Sequence, residues 1–365
     1  MTLFSPVTID SVTLRNRTAV APMTRISAAP DGCVTDRMVA YYDEFARGGW
    51  GLIETEATYI DTEYSQCRAH QSGIATTAQR DAWRRVVDAV RARGAAIFIQ
   101  LQHAGALAEA RHNGVETVGP SPVAPRSKKP LPTPRELTVA DIARIHDHFA
   151  RAAMRAVEAG FDGVELHGHN GYLIDQFLTD FTNLRTDGYG GSLDNRIRFA
   201  VETLEAVRRA IPAGVPVGIR LNQHRADDPA HVSAASEDEA VTIVRALVGA
   251  GASFLHISGL HEPLAGRANR LLLDTARTVG QVVVIANGGL DDPARAQALV
   301  AKGAADLVAL GRGALANPDW PYRVMTNLPL AAYDPAMIKP TPTLDNADAW
   351  RRQRAGQAAC EPLDS

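Results

Sequence analysis

The chain has 365 residues, 45% hydrophobic and 22% charged, which is long enough for one large domain or two modest ones and suits a soluble globular protein rather than a disordered or fibrous one. Its formal net charge of -3, with no long block of like charge, gives no electrostatic reason to expect nucleic acid or an anionic membrane as partner. No stretch approaches the roughly 18 apolar residues of a membrane span and the N-terminus lacks a signal peptide's basic and apolar regions, so a cytoplasmic location is expected. Cys33, Cys67 and Cys360 are widely spaced and form no C-x-x-C; free thiols are expected, without a disulfide framework, iron–sulfur cluster or zinc cluster.

From the N-terminus, residues 7–14 with a turn at Asp10-Ser11 predict a hairpin, so that residues 1–17 form a cap able to plug the N-terminal end of a barrel. One pattern then repeats: a short β-branched run, a polar or glycine-rich break, and a longer segment with helical spacing. The runs are 18–23, 51–60, 95–102, 163–168, 216–222, 254–259, 282–289 and 307–312, with helix candidates at 76–93, 139–159, 192–210, 236–251 and 293–303. Several of these helices close on glycine, as helix C-termini often do. Such alternation predicts parallel strands with crossover helices, and eight repeats predict a single (β/α)8 TIM barrel spanning 1–365 rather than an open sheet. Residues 103–137, with Pro120, Pro122, Pro125, Pro130, Pro132 and Pro134, predict a long excursion after strand three over the C-terminal face. Residues 340–365, which carry Arg351, Arg352 and Arg354, read as a solvated tail, the alternative being entry of an arginine into a neighbouring copy's site.

A barrel of this kind keeps its reactive groups at C-terminal strand ends. Met23-Thr24-Arg25 follows the first run, Glu56-Ala57-Thr58 lies in the second, Gln100 and Gln102 end the third, and Arg220 ends the fifth. Asn287-Gly288-Gly289 ends the seventh and Gly311-Arg312-Gly313 the eighth. At the fourth, His167, Asn170 and Tyr172 bring two donors three residues apart and then a phenol to the point where backbone leaves a buried strand. Such a group can grip and protonate a carbonyl compound. Phosphate sites in these barrels are often built by the loops after strands seven and eight. Gly288 and Gly289 let backbone N–H groups approach phosphate oxygens and Arg312 can pair with them bidentately, so a phosphorylated ligand is expected.

Other readings compete for the same residues. His167 and His169 form H-x-H, which could be a metal pair, but His103, His256 and Asp227 make no matching ligand set; His169 alone reads as a supporting or structural residue. The segment Gly311-Arg-Gly-Ala-Leu-Ala316 fits a dinucleotide fingerprint, yet Asn317-Pro318 cuts its helix short. Schiff-base chemistry needs a strand-end lysine, and Lys128, Lys129, Lys302 and Lys339 are not so placed.

The motifs Leu3-Phe4-Ser5-Pro6, Leu14-Arg15-Asn16-Arg17, Ala21-Pro22-Met23-Thr24, Ile99-Gln100-Leu101, the His167 segment, Arg185-Thr-Asp-Gly-Tyr-Gly-Gly-Ser-Leu-Asp-Asn-Arg196 and Leu310-Gly-Arg-Gly-Ala-Leu-Ala-Asn-Pro318 run through almost the whole chain. Together, and in this order, they resemble the old yellow enzyme family of FMN-dependent NAD(P)H ene-reductases. The resemblance implies tightly bound FMN, with Pro22, Met23, Thr24 and Ala57 lining it and the Thr24 hydroxyl on its O4. Gln100 would bind the pyrimidine edge, Arg220 would stabilise the negative charge of the reduced flavin near N1 and O2, and Gly288, Gly289, Gly311 and Arg312 would hold the phosphate.

The implied reaction has two half-reactions at one site. NADH or NADPH delivers hydride to flavin N5, and an α,β-unsaturated carbonyl compound then takes the nicotinamide's place. His167 and Asn170 hydrogen-bond its oxygen while Tyr172 protonates the α-carbon, a task suited to a phenol whose ordinary pKa near 10 keeps it protonated at neutral pH. The chain has neither the length nor the clustered cysteines of relatives with an added iron–sulfur portion, so a soluble nicotinamide is the expected donor. Ala106 stands where bacterial relatives usually have Arg, and Gln102 where an aromatic or small residue is frequent, which leaves the substrate open. NADH against NADPH and a homo-oligomeric state are also open. The rival reading of another class is a flavin-binding redox or storage protein without a dedicated alkene substrate, with a metal-dependent barrel hydrolase behind it.

Overall fold

Eight strands close into a parallel barrel in a computed structural model that describes residues 1–109, 114, 116–126, 130–223, 236–259 and 268–358. Strands β1 (Val7–Ile9) and β2 (Val12–Leu14) form the expected hairpin, turning at Asp10 with φ 48°. The barrel strands are β3 (Thr18–Val20), β4 (Leu52–Glu54), β6 (Ala96–Gln102), β9 (Gly163–His167), β10 (Val217–Leu221), β11 (Phe254–Ile257), β12 (Val283–Asn287) and β13 (Leu307–Leu310), and β13 pairs with β3 to close the circle. The run at 51–60 is not one strand: it breaks at Thr55 and resumes as β5 (Thr58–Tyr59), beside β6. The Glu56 N–H leaves the ladder and donates to the Tyr42 hydroxyl at 2.9 Å.

Crossover helices pack outside. They include α1 (Asp36–Arg47), capped by Thr35, and α2 (Thr77–Arg91) and α3 (Val139–Ala159), each begun by a reciprocal capping box, Thr76 with Gln79 and Thr138 with Asp141. After a short helix, α4 (Leu173–Leu178), come α5 (Leu193–Ala210), α6 (Glu237–Gly249), α7 (Ala268–Val279) and α8 (Pro293–Ala301). Of the excursion after β6, the described part includes a parallel pair of two-residue strands, β7 (Val118–Gly119) and β8 (Arg135–Glu136). Arg185 anchors it, donating to the carbonyls of Pro120 at 3.0 Å and Leu137 at 2.6 Å while pairing with Asp187. The chain then runs through α9 (Arg312–Ala316) and α10 (Trp320–Thr326). The tail expected at 340–365 is instead helical over α11 (Leu344–Ala358), held by Arg37 to Asp348 and by Arg351 to Glu44 at 3.1 Å. Those ion pairs dock it on its own chain's α1. Cys360 and the Arg354 side chain lie outside the described residues, as do Asp227, Lys128 and Lys129; Cys33 and Cys67 are free thiols. No described helix is long and apolar enough to cross a membrane.

The barrel interior changes character along the strands. At its N-terminal end Leu52, Phe98, Phe254, Ile285 and Leu307 cluster with Ile9 and Leu14 of the hairpin, which thus plugs the barrel. The Phe98 and Phe254 rings fit, with centroids 5.5 Å apart, because Gly163 and Gly218 face them; a Cβ there would lie 2.6 Å and 2.5 Å from ring carbons. Inward positions recur every second residue. Two residues further on, the same strands turn polar groups inward: Glu54, Gln100, Glu165, Arg220, His256 and Asn287.

Candidate active site

The end of β9 builds the centre of the site. Gly168 passes so close to β10, with its N–H on the Arg220 carbonyl at 2.9 Å, that a Cβ would lie 2.9 Å from Ile219. Asn170 (φ 60°) and Gly171 (φ 78°) then adopt left-handed backbone. The Gly171 N–H donates to Asp175 at 2.7 Å and its carbonyl accepts from Gln176 at 2.6 Å. This tight turn swings Tyr172 back so that its ring meets His167 edge-on, centroids 4.6 Å apart and planes at 78°. His169, set aside on sequence grounds, lies parallel to His167 at 4.3 Å and 15°. His167 Nδ1 and both His169 ring nitrogens lack a well-formed hydrogen bond.

Burial decides protonation here. It pushes His167 down to about 3, helped by the Arg220 charge, and His169 well below the ordinary histidine range, so both rings are neutral at pH 7. Burial, reinforced by Cys67, raises the Tyr172 phenol and keeps it a proton carrier. Thr24, Cys67, Gln102 and Tyr172 line one cavity of about 70 Å³. Gln102 aims a buried Nε2 there with no partner.

Below and beside it lie the groups expected to hold a flavin. Gln100 donates one Nε2 proton to Glu165 at 2.8 Å, which fixes its amide and leaves its oxygen and second proton for a ligand. Arg220 is buried, with Nη2 donating to Asn287 at 3.0 Å and Nε unpartnered. The Glu56 carboxylate accepts the N–H groups of Arg25 at 2.7 Å and Ile26 at 3.2 Å, fixing the backbone just after Pro22, Met23 and Thr24. The carbonyl of buried Ala57 accepts from Gln71 at 2.8 Å. β12 and β13 run side by side, Asn287 opposite Ala309, so Gly288 (φ 126°), Gly289 (φ 61°), Gly311 and exposed Arg312 emerge together. Met23 Sδ is 3.7 Å from where a Cβ of Gly311 would stand. A buried guanidinium with an unpartnered Nε, a held amide edge and a glycine-rich anion cradle fit a planar amide-edged group bearing a phosphate.

Residues 2–331 match the model of the NADH:flavin oxidoreductase / NADH oxidase family. The chain belongs to that family. Within it, a probable flavin mononucleotide-dependent alkene reductase of Leishmania infantum is 36% identical over 361 residues, which cover 93% of this chain and 94% of that protein. An NADH oxidase of Thermoanaerobacter brockii is 37% identical over 333 residues, 88% of this chain; the chain spans only 50% of its length. The solved structure of an old yellow enzyme homologue from Zymomonas mobilis superposes with TM-score 0.83 at 32% identity, over 91% of this chain and 94% of that one. The family resemblance drawn from the motifs and the expected (β/α)8 TIM barrel are thus both borne out.

Within this family member the H-x-H pair gains no third metal ligand among the described residues. The one group of three close metal-ligating side chains there is Glu54, Glu165 and His256, inside the barrel. In the sequence only His256 of the three stands out, as a candidate ligand without a matching set. The trio's signal was present: polar side chains at the inward positions of otherwise apolar strands.

Proposed function

We propose that this chain, working as a single barrel domain, is an FMN-dependent NAD(P)H oxidoreductase that reduces the activated C=C bond of small α,β-unsaturated carbonyl compounds. FMN, when bound, supplies the two-electron relay between nicotinamide and alkene. Gln100 and Arg220 would hold its pyrimidine edge, Thr24 its O4, backbone of Pro22, Met23 and Ala57 its flank, and Gly288, Gly289, Gly311 and Arg312 its phosphate.

The observation that carries the reading is the Tyr172 ring set edge-on to His167 while lining the same cavity as Thr24. A neutral His167 offers a ring N–H to a carbonyl oxygen without bringing a full charge, and Asn170 adds an amide donor. His167 at the end of β9 and Asn170 in the turn would offer these donors without rearrangement, which is how a preorganised site stabilises developing negative charge. Tyr172, protonated throughout the working pH range, holds the proton that the α-carbon receives.

Anaerobic rapid mixing tests this. Yellow purified protein should bleach with NADH or NADPH and recover its colour with 2-cyclohexenone, maleimide or an unsaturated aldehyde. Colour that no member of such an enone panel restores would favour a redox or storage role, and a colourless, metal-containing protein would favour the hydrolase.

A further inference from the structure

Glu54, Glu165 and His256 face one another inside the barrel, fully buried. His256 Nδ1 lies 2.7 Å from Glu165 Oε2 and 3.2 Å from Glu54 Oε2, so two carboxyl groups compete for one imidazole nitrogen. Glu165 has a second tie, the amide proton of Gln100 at 2.8 Å. Neither oxygen of Glu54 makes another hydrogen bond. A carboxylate oxygen from each glutamate and the imidazole nitrogen all lie within 4.8 Å of one another. Arg220, opposite both His167 and His256 in the ladder, is the remaining charge acting on the trio.

We propose that this cluster takes up one proton from solvent when the flavin above it is reduced, with Glu54 as the acceptor, and returns it on reoxidation. The proposal rests on the FMN reading of the site. The balance is simple: two electrons and one proton pass from the nicotinamide to the flavin, and one further proton passes from water to the Glu54 carboxylate. Nothing else is oxidised or reduced. The reason is electrostatic: reduction brings negative charge beside Gln100 and Arg220, and added negative charge in a low-dielectric interior raises a neighbouring carboxylate's hold on a proton.

Glu54 is the group poised to respond. Burial and then the Glu165 charge raise it to about 7, whereas Glu165, despite burial, is held down to about 2 by His256. The two carboxylates in turn raise His256 against the effect of burial. A divalent cation is a poorer occupant, because the Gln100 amide N–H already points at Glu165 and the Arg220 guanidinium adjoins the trio. Glu54, Glu165 and His256 are therefore positioning residues, acting on the flavin through Gln100 and Arg220.

The test counts protons in weakly buffered solution with an indicator dye while NADH reduces the anaerobic holoenzyme near pH 7.5. Reduction of bound flavin to its anionic form by NADH alone consumes no net proton. A tenfold or greater rise in proton affinity at Glu54 would add uptake of about half a proton or more per flavin. Glu54→Gln should abolish that uptake, and Glu54→Asp, which keeps a carboxyl, should retain part of it. Should Glu54→Gln fail to fold or to bind flavin, the pH dependence of the wild-type midpoint potential decides: two protons per two electrons around neutrality and one at higher pH are expected. No uptake in the wild type, or undiminished uptake in Glu54→Gln, overturns the proposal while leaving the enzyme reading intact if enones still reoxidise the flavin. A protein that binds no flavin overturns both.

Discussion

The His167 and His169 rings lie 4.3 Å apart with planes 15° from parallel, so each covers a face of the other and neither has room for the hydration that a charge needs. His167 should act as a neutral donor, with His169 neutral beside it, at all working pH values.

His167→Ala should lower the rate at which an enone reoxidises the reduced flavin by on the order of 10²–10³, the loss seen when one oxyanion donor is removed. With His167 held at about 3, the wild-type rate should be flat from pH 5 to 8. A fall in rate centred near pH 6.5 in rapid-mixing traces would show a titrating imidazole and contradict the neutral-donor role.

Tyr172→Phe should leave reduction by NAD(P)H close to the wild-type rate and slow only reoxidation by 2-cyclohexenone, because the phenol proton is needed in the second half-reaction alone. Stopped-flow separates the two. Equal slowing of both would remove Tyr172 from the proton-donor role.

Gln102 holds a buried amide donor without an acceptor, an arrangement that costs roughly 1–3 kcal/mol in a folded protein. Gln102→Leu should therefore unfold in urea with unchanged or greater stability, by up to about 1 kcal/mol. At the same time its kcat/KM for maleimide, which offers a second carbonyl, should fall more than that for 2-cyclohexenone. A clear loss of stability would mean that the amide has a structural partner.

His103 is buried, accepts the Gly105 N–H on Nδ1 at 3.0 Å, and is pushed down to about 4 by burial against the opposing pull of Asp61. Since its folded pKa lies below the unfolded value, the unfolded chain binds more protons between about pH 6.5 and 4. Stability should fall as pH drops through that window, by roughly 3 kcal/mol from this residue. His103→Gln, which keeps an acceptor but cannot ionise there, should flatten the urea-unfolding profile between pH 6.5 and 4 by that amount; an unchanged profile would refute it.

The barrel was legible because a short β-branched run, a polar or glycine-rich break and a segment with helical spacing recur along the chain, and the strand-end groups followed from the fold. The break between β4 and β5 was not, since it depends on the Tyr42 hydroxyl reaching Glu56 from α1, a contact far apart in sequence. Nor was α11, whose residues show no apolar stripe and which docks through Arg37, Asp348, Arg351 and Glu44. His169 reads in sequence as a supporting or structural residue, but spacing alone does not show that its ring stacks on His167 beside the tight turn at Asn170 and Gly171. Glu54 and Glu165 drew no attention and His256 only as an unmatched candidate ligand, since each sits singly in an apolar run and only closure of the barrel brings them together.

The apolar plug made by Ile9, Leu14, Phe98 and Phe254 closes one end of the barrel beneath the polar groups, so exchange with solvent is steered to the opposite mouth, where the ligands would sit. Whatever occupies that mouth then acts as a doorkeeper for protons. While that mouth is filled, protons reach the interior groups past its occupant rather than through the plugged end, so their exchange with solvent is slowed but not stopped.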